Sequence, residues 1–320
     1  MKNKKIVITG AAGLIGRNVI EELNASGFDN ILAVDNLRNN EKWMNLREVK
    51  FRDYLEKDEF LQRVQTSSFL QEFSHVVHLG ACSSTTEKDA TYLIKNNYEY
   101  TKVLAYAALA AKIRFLYASS AATYGEGENG FDDKAENDAL KPLNMYGYSK
   151  HLFDLHAKRG GFLDKITGLK YFNIFGYGEF HKGEMRSVVL KGYEQIRETG
   201  SLKLFKSYRE DYRDGEQKRD FLYARDAAAM TLHLLFGEHY GLFNIGHGKA
   251  RTWNDLAASM FRAMNIPLNI EYIDMPDYLK PKYQYYTCAN MEKFETTGYK
   301  KTLTSLEDSV SEYIRKLENP

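Results

Sequence analysis

Cysteine is scarce in this sequence. It occurs only at Cys82 and Cys288, and neither residue belongs to a C-x-x-C pair or has histidines at zinc-ligand spacing around it. Two cysteines in unrelated contexts imply neither a disulfide framework nor a structural zinc site, and they are typical of a protein from a reducing compartment. We therefore expect a cytoplasmic protein without a metal.

The sequence also lacks an excess of charge of either sign and a long apolar run. Its 44 Lys and Arg residues against 43 Asp and Glu residues leave a formal net charge of +1. This balance provides no broad basic surface for nucleic acid or anionic lipid. The first apolar stretch, from Ile6 to Gly10, is too short for a signal peptide or a membrane span. The expected partner is a small molecule, with no role for nucleic acid or membrane.

Short apolar segments alternate with helical segments through the first half of the chain. The predicted strands cover residues 6–9, 31–35, 76–79, 115–119 and 169–172. The predicted helices cover residues 14–26, 92–111 and 146–158. A repeated strand, helix, strand order predicts an α/β fold with a doubly wound parallel sheet of the Rossmann type. In such a sheet the ligand lies at the carboxyl ends of the strands.

The second half of the chain is less regular. Helices are predicted over residues 185–199, 224–236, 253–264 and 305–317, and the charged segment 206–219 is predicted to be an exposed loop. Because no linker rich in proline or glycine separates the halves, the domain boundary is soft. We expect a Rossmann domain over residues 1–175 and a smaller mixed α/β domain over residues 176–320, with some exchange of chain between the two.

Three glycines follow the first predicted strand at a spacing of three and three. Gly10 permits a tight turn, Gly13 lets the main chain approach a pyrophosphate, and Gly16 lets the helix pack on the strand. The second strand ends about twenty residues later in Asp35, at the distance where a carboxylate binds adenosine ribose hydroxyls. Together these features predict a dinucleotide site.

The residues beyond Asp35 leave the choice between NAD and NADP open. Its carboxylate favours NAD, because it would repel a 2′-phosphate. Arg38 and Lys42 follow closely and could neutralise that phosphate. Asp53 is a further candidate, as a carboxylate that faces the adenine.

Tyr146 and Lys150 are four residues apart, so both project from one face of the predicted helix. A nearby ammonium and the positive nicotinamide favour the phenolate of Tyr146, which could then exchange a proton with a carbinol during hydride transfer. Ser120 ends the preceding strand and could hydrogen-bond the reacting oxygen. In this order the three residues predict oxidoreductase chemistry.

The chain resembles the extended short-chain dehydrogenases/reductases, and within them the ADP-glyceromanno-heptose 6-epimerases. Five motifs carry the finer resemblance. They are residues 78–87 (HLGACSSTTE), 117–125 (YASSAATYG), 141–146 (KPLNMY), 171–176 (YFNIFG) and 181–183 (HKG).

This resemblance implies that tightly bound NADP oxidises and re-reduces C6 of ADP-D-glycero-β-D-manno-heptose, giving the ADP-L-glycero epimer for the lipopolysaccharide inner core. It implies Tyr146, Lys182, Ser120 and Lys150 as catalytic residues, and NADP rather than NAD. The implied cofactor residues are Gly10, Gly13, Leu14, Ile15, Gly16, Asp35, Asn36, Lys42, Lys57, Leu79, Gly80, Ala81, Cys82, Ser83, Asn96, Lys150 and Ile174. The implied substrate residues are Ser84, Asn173, Lys182, Glu184, Lys191, Phe205, Arg219 and Tyr283. The family also implies a homo-oligomer, a pentamer.

The substrate half departs from the family pattern in several places. The chain has Gly176-Tyr177-Gly178 where Gly-Pro is common, Glu184 in place of a substrate-binding serine, and Lys191 in place of a histidine. The segment before Arg219 is also longer. These departures lie in the substrate half, whereas Ser120, Tyr146 and Lys150 of the predicted chemistry are all present.

Two other functions stay open. A hexose 4-epimerase uses the same residues with a different sugar, whereas a 4,6-dehydratase is disfavoured because Ala121 and Ala122 follow Ser120 where dehydratases have Asp-Glu. A binding protein that senses dinucleotides without turnover would keep the fold, but the intact Ser120, Tyr146 and Lys150 favour an enzyme.

Overall fold

The fold is taken from a computed structural model that describes residues 4–66, 68–277, 279–280 and 283–319. The strands are β1 (Ile6–Thr9), β2 (Ile31–Asp35), β3 (Asp53–Glu56), β4 (His75–His78), β5 (Arg114–Ser120), β6 (Thr167–Tyr171), β7 (Asn173–Phe175), β8 (Leu202–Phe205), β9 (Lys218–Tyr223), β10 (Gly241–Ile245), β11 (Ala250–Thr252) and β12 (Ile270–Ile273). The α-helices are α1 (Leu14–Ala25), α2 (Met44–Arg47), α3 (Lys57–Thr66), α4 (Ala90–Leu93), α5 (Tyr100–Ala110), α6 (Met145–Arg159), α7 (Val188–Thr199), α8 (Ala224–Phe236), α9 (Trp253–Ala263), α10 (Glu292–Glu295) and α11 (Leu306–Glu318).

The centre of the molecule is a seven-stranded sheet in the order β10-β6-β5-β4-β1-β2-β3, in which neighbouring strands are parallel. The chain runs outward from β1 through β2 to β3, then crosses back to β4 on the other side of β1. The strand order therefore reverses between β1 and β4, and a crevice opens outside their carboxyl ends. The predicted Rossmann fold is confirmed.

The inner strands are buried along their whole length, which explains their unbroken apolar sequence. One apolar core includes Ile8, Val77 and Leu169, and a second includes Val7, Val76 and Phe115. The sheet is thus covered on both faces, as its hydrophobic pattern requires.

The later half of the chain adds two small sheets, one in the order β11-β9-β7 and one that pairs β12 with β8. These sheets, α7, α9 and α11 enclose a third apolar core that includes Phe175, Leu256 and Tyr313. The mixed α/β character is confirmed. The chain also returns to the large sheet, because β10 pairs with β6. The proposed boundary near residue 175 stays a prediction.

The structure corrects several bounds. The edge strand β3 was not predicted, and the predicted helix at 185–199 begins only at Val188, after a 3₁₀ segment at Phe180–Met185. Ser187 caps α7 by accepting a hydrogen bond from the Leu190 amide, which sets its first turn. A π-helical segment, Ile94–Glu99, joins α4 to α5 inside the predicted helix 92–111.

None of the helices in the described part of the chain is long and apolar enough to cross a membrane.

Candidate active site

A cavity of about 460 Å³ lies at the crevice between β1 and β4. The predicted cofactor residues that line it are Gly10, Gly13, Leu14, Ile15, Gly16, Asp35, Asn36, Lys42, Lys57, Leu79, Gly80, Ala81, Cys82, Ser83 and Asn96. Lys150 and Ile174 line a second cavity instead. We call the first one the cofactor cavity.

The glycine-rich turn is built for close approach of main chain. Gly10 has a φ of +69°, and a Cβ there would lie 2.7 Å from the Gly80 nitrogen. A Cβ on Gly16 would lie 2.1 Å from the carbonyl oxygen of Gly10. Helix α1 then begins beside the cavity with no acidic residue in its first turn, which suits an anion at its N-terminus. The turn, the helix end and the cavity together fit a dinucleotide.

Asp35 connects the glycine-rich turn to the loop beyond β2. Its carboxylate accepts a 2.8 Å hydrogen bond from the Ala12 amide, and Lys42 Nζ lies 2.5 Å from the other carboxylate oxygen. The ammonium of Lys42 therefore lies beside Asp35, the last residue of β2. A phosphate on the adenosine ribose would be close to this positive charge. Arg38 also lines this cavity.

The interpretation of Asp53 was wrong. This residue is exposed and begins β3, opposite Leu32 in the parallel register with β2. Cofactors bind at the carboxyl ends of parallel strands, and the carboxyl end of β3 is Glu56, which pairs with Asp35. Asp53 therefore lies at the wrong end of its strand to face an adenine.

A second cavity, of about 440 Å³, adjoins the cofactor cavity. It is lined by Ser120, Tyr146 and Lys150, and it shares Ile15, Leu79, Ala81 and Lys182 with the first. The two cavities therefore meet at common side chains. We call the second one the reaction cavity.

Helix α6 brings Tyr146 and Lys150 into this cavity. Asn144 caps the helix by accepting a 2.8 Å hydrogen bond from the Gly147 amide. Lys150 is only 4% exposed and donates a 2.8 Å hydrogen bond to the carbonyl of Ala118 on β5. Burial lowers the pKa of Lys150 to about 8, and Asp154 opposes this. The lysine and the tyrosine thus reach the same cavity from one helix, as the four-residue spacing predicts.

Ser120 lies beside the Tyr146 phenol. Burial raises the pKa of Tyr146, and a hydrogen bond with the Ser120 side chain opposes that rise. The Ser120 hydroxyl also accepts a 3.1 Å hydrogen bond from the Ala122 amide, which fixes its rotamer. Serine and tyrosine are therefore in direct contact at the end of β5, and Lys150 lines the same cavity.

Lys182 enters from the 3₁₀ segment before α7 and lines both cavities. Burial lowers its pKa, and the Glu179 carboxylate opposes the effect. A lysine with a lowered pKa can take up and release a proton more readily than a solvated one. The preceding residue, His181, lines the cofactor cavity, and burial together with Lys42 and Lys182 lowers its pKa to about 4.

The predicted substrate residues are only partly brought together. Asn173 lines the reaction cavity and Ser84 the cofactor cavity. Arg219 and Tyr283 do not line either cavity but contact Trp253, which lines the reaction cavity. The Arg219 guanidinium lies 5.6 Å from the centre of the Trp253 ring, and the Tyr283 hydroxyl accepts a 2.9 Å hydrogen bond from the Trp253 indole.

The remaining three predicted substrate residues lie outside both cavities. Glu184 is exposed and forms a 2.9 Å ion pair with Lys191. Phe205 ends β8 and packs edge-on against Tyr283. Their roles in substrate binding stay predictions.

Several residues of the reaction cavity were not predicted. Besides Trp253, they include Gln284, Thr287 and Phe221. Gln284 donates a hydrogen bond to the carbonyl of Gly125 and so joins the last third of the chain to the segment after β5. Only its position next to Tyr283 in the sequence could have indicated it.

The profile of the NAD dependent epimerase/dehydratase family matches residues 6–246. The chain belongs to this family. It is 49% identical over 312 residues to the ADP-L-glycero-D-manno-heptose-6-epimerase of Nitratidesulfovibrio vulgaris (strain DP4), an alignment that covers 97% of each chain. The predicted family resemblance is therefore confirmed.

Solved structures agree on the fold. The Helicobacter pylori ADP-L-glycero-D-manno-heptose-6-epimerase superimposes with a TM-score of 0.80 at 24% identity, covering 99% of this chain and 97% of that one. A UDP-N-acetylglucosamine 4-epimerase from Methanobrevibacter ruminantium M1 gives 0.83 at 22% identity, covering 100% and 99%. Since both scores are high, the fold alone does not select the sugar.

Proposed function

We propose that this protein is an isomerase that inverts C6 of ADP-D-glycero-β-D-manno-heptose to give the ADP-L-glycero epimer. One observation carries the proposal: Tyr146 and Lys182 line the same cavity, next to a cavity that fits a dinucleotide. Two proton-transferring side chains suit an inversion, because the C6 oxygen points in opposite directions in the two epimers, so that a different side chain can exchange the hydroxyl proton in each. The close sequence relatives that carry this activity in their name support the choice of sugar.

The chemistry balances without an added reagent. One base accepts the proton of the C6 hydroxyl while the C6 hydride departs, which leaves a ketone. When bound, a nicotinamide dinucleotide would supply the acceptor for this hydride and then its donor. After the ketone presents its other face, the second base gives a proton to the re-formed alkoxide, and Tyr146 and Lys182 divide these two roles. Ser120 would hydrogen-bond the reacting oxygen.

The charges around Tyr146 support its role. A buried phenol is a weak acid, so deprotonation needs a cation nearby. Lys150, one turn further along the same helix, lines the same cavity and is proposed to supply this cation. The neighbours Ala121 and Ala122 are apolar and also line the cavity, so the position after Ser120 offers no acid for elimination. This supports epimerisation over dehydration.

NADP is the proposed cofactor. The 2′-phosphate of NADP adds negative charge beside the adenosine ribose, where Asp35 alone would repel it. Lys42 and Arg38 line the cofactor cavity at this place, and Lys42 already pairs with Asp35. These cations support NADP over NAD.

We also propose that the chain acts in the cytoplasm as a homo-oligomer, with a pentamer implied by the resemblance. Light scattering coupled to size exclusion would test this. A mass of five chains of 36.9 kDa supports the pentamer, whereas a mass of one chain contradicts the oligomer.

Proton NMR of ADP-D-glycero-β-D-manno-heptose with the purified protein and no added reductant tests the function. We expect the C6 epimer to accumulate until both epimers are present at equilibrium. An unchanged spectrum contradicts the heptose assignment. UDP- and GDP-hexoses would then be the next substrates, and turnover of one of them would identify a hexose epimerase.

A further inference from the structure

The segment that carries Lys182 is docked on the dinucleotide-binding half of the molecule. It runs from residue 176, after β7, to Ser187, before α7. The side-chain amide of Asn45, in α2, donates a 2.8 Å hydrogen bond to the carbonyl of Ala12 and a 2.7 Å hydrogen bond to the carbonyl of Gly178. Asn45 is 6% exposed, so little water competes for these bonds. One amide therefore joins the glycine-rich turn to the Lys182 segment.

The contact at Gly178 requires a glycine. Its φ is +107°, and a Cβ there would lie 2.9 Å from the Arg17 side chain and 3.2 Å from the Asn45 amide oxygen. Close packing of the Arg17 and Asn45 side chains against the Gly178 main chain is thus built in, within the Gly176-Tyr177-Gly178 segment that departs from the common Gly-Pro pattern.

A second asparagine makes a parallel link. Asn18, in α1, donates hydrogen bonds to the carbonyl of Leu14 at 2.7 Å and to the carbonyl of Tyr177 at 3.2 Å. The Tyr177 ring lies 4.8 Å from the guanidinium of Arg17, which is itself buried. Two consecutive residues of the segment are therefore held, Tyr177 by side chains of α1 and Gly178 by a side chain of α2.

The other side of the segment is held by Glu179. This carboxylate is fully buried and accepts 2.6 Å hydrogen bonds from the amide and the hydroxyl of Ser187, and a 3.0 Å hydrogen bond from Tyr313. The segment is thus closed into a loop across residues 179–187.

We propose that Asn45 is a positioning residue that makes the placement of Lys182 depend on the glycine-rich turn. Ala12 is the shared element: its amide binds Asp35, its carbonyl binds Asn45, and it lies between Gly10 and Gly13. A dinucleotide that orders this turn therefore also orders residues 178–187. The proposal rests on the proposed function, in which Lys182 is one of the two bases.

The test variant is Asn45→Asp, which keeps the size of the side chain and removes both donated hydrogen bonds. The matched control is Asn24→Asp. The Asn24 amide also holds two carbonyls, those of Phe28 and Lys50, each at 2.9 Å, at the far end of α1 from the Lys182 segment. Both variants lose the same kind of interaction, but only one loses the link to Lys182.

Hydrogen exchange of the amides of residues 178–187, with and without NADP, measures the coupling between the glycine-rich turn and the Lys182 segment. This measurement does not require catalytic turnover. We expect NADP to slow exchange there by about tenfold in the wild type and in Asn24→Asp, and to have little effect in Asn45→Asp. NADP affinity should stay within about threefold of wild type in both variants. Equal protection in Asn45→Asp and wild type overturns the proposal.

A kinetic asymmetry separates positioning from general damage. Each C6 epimer is mixed with the NADP-loaded protein, and oxidation is followed by the near-ultraviolet absorbance of reduced nicotinamide. In Asn45→Asp we expect one epimer to be oxidised at near the wild-type rate through Tyr146, and the other at least about 100-fold more slowly because its base is displaced. An equal loss for both epimers, or no loss, overturns the proposal.

The two proposals fail in distinguishable ways. A wild-type protein that interconverts no epimers contradicts the proposed function, while the exchange experiment still decides whether Asn45 links the two segments. If Asn45→Asp does not fold, Asn18→Ala takes its place, since it removes the parallel hydrogen bond to Tyr177. The same two measurements, hydrogen exchange of residues 178–187 and the oxidation rate of each epimer, are then made on that variant.

Discussion

The ammonium of Lys150 donates a 2.8 Å hydrogen bond to the carbonyl of Ala118, two residues before Ser120 on β5. This bond holds the lysine in the reaction cavity, where it is 4% exposed. It also connects the helix that carries the tyrosine to the strand that carries the serine. The geometry of the proposed reaction depends on this connection.

Removing the Tyr146 hydroxyl should abolish most turnover without unfolding the protein. We expect Tyr146→Phe to lower kcat by about 10² to 10⁴-fold, the usual contribution of a general acid or base, with NADP affinity little changed. The control is Tyr148→Phe, on the same helix but 44% exposed, which should keep wild-type kcat. Unchanged kcat in Tyr146→Phe would contradict its role, and absence of turnover in the wild type would favour a dinucleotide-sensing protein.

Lys42 should select NADP over NAD. Its charge lies at the end of β2, 2.5 Å from Asp35, where the 2′-phosphate would reside. We expect Lys42→Met to raise the Kd for NADP by about tenfold or more, since a hydrogen bond to a charged group contributes about 1.5 to 3 kcal/mol, and to leave the Kd for NAD nearly unchanged. Isothermal titration of both cofactors measures this, with the exposed Lys50→Met as control. An equal loss for both cofactors would contradict the assignment.

Two glycines of the turn should fail in different ways when replaced by alanine. A Cβ at Gly16 would meet the Gly10 carbonyl oxygen at 2.1 Å, whereas a Cβ at Gly13 would lie 3.1 Å from the same atom. We expect Gly16→Ala to lower the free energy of unfolding by about 1 to 3 kcal/mol through overpacking. Gly13→Ala should be less destabilised but should bind NADP more weakly, because its methyl group faces the pyrophosphate. Equal melting temperatures for the two variants would be the contrary result.

His78 should make the protein sensitive to acid. It is 1% exposed, and its ring nitrogens interact with Thr9 at 2.6 Å and Thr101 at 2.9 Å. Burial lowers its pKa to about 3 from 6.5, so between these values the unfolded chain binds the extra proton and stability falls as the pH falls. We expect the pH dependence of the unfolding free energy in His78→Gln to be shallower by up to about 1.4 kcal/mol per pH unit. Parallel curves for wild type and variant over this range would refute this.

The sequence predicted the fold around the cofactor cavity, and most of the residues that line it, because its signals there are local. The turn at Gly10 and the carboxylate at Asp35 follow from spacing within one strand, helix, strand unit, and so does the Tyr146 and Lys150 pair within one helix. The edge strand β3 was missed since its DYLE sequence has a single buried residue, Leu55, and so lacks the apolar run of the inner strands. The interpretation of Asp53 was wrong for the same reason. Without a predicted strand at 53–56, the sequence did not show that Asp53 lies at the amino end of β3 rather than at its carboxyl end.

The reaction cavity was harder to predict, because its residues come from distant parts of the chain. Lys182 was indicated only by the family resemblance, as a lone lysine in a loop carries no spacing signal. Trp253 and Gln284 reach the cavity through tertiary packing of the later elements. Asn45 had no signal either, since its importance depends on two main-chain carbonyls that come together only in the fold.

The most direct test of transient oxidation at C6 uses ADP-D-glycero-β-D-manno-heptose with deuterium in place of the C6 hydrogen, incubated with the NADP-loaded protein in ordinary water. We predict that mass spectrometry and NMR find the C6 epimer with its deuterium still on C6, because the hydride that leaves is the one that returns. An epimer that has exchanged its deuterium for solvent hydrogen, or no epimer at all, would contradict the account.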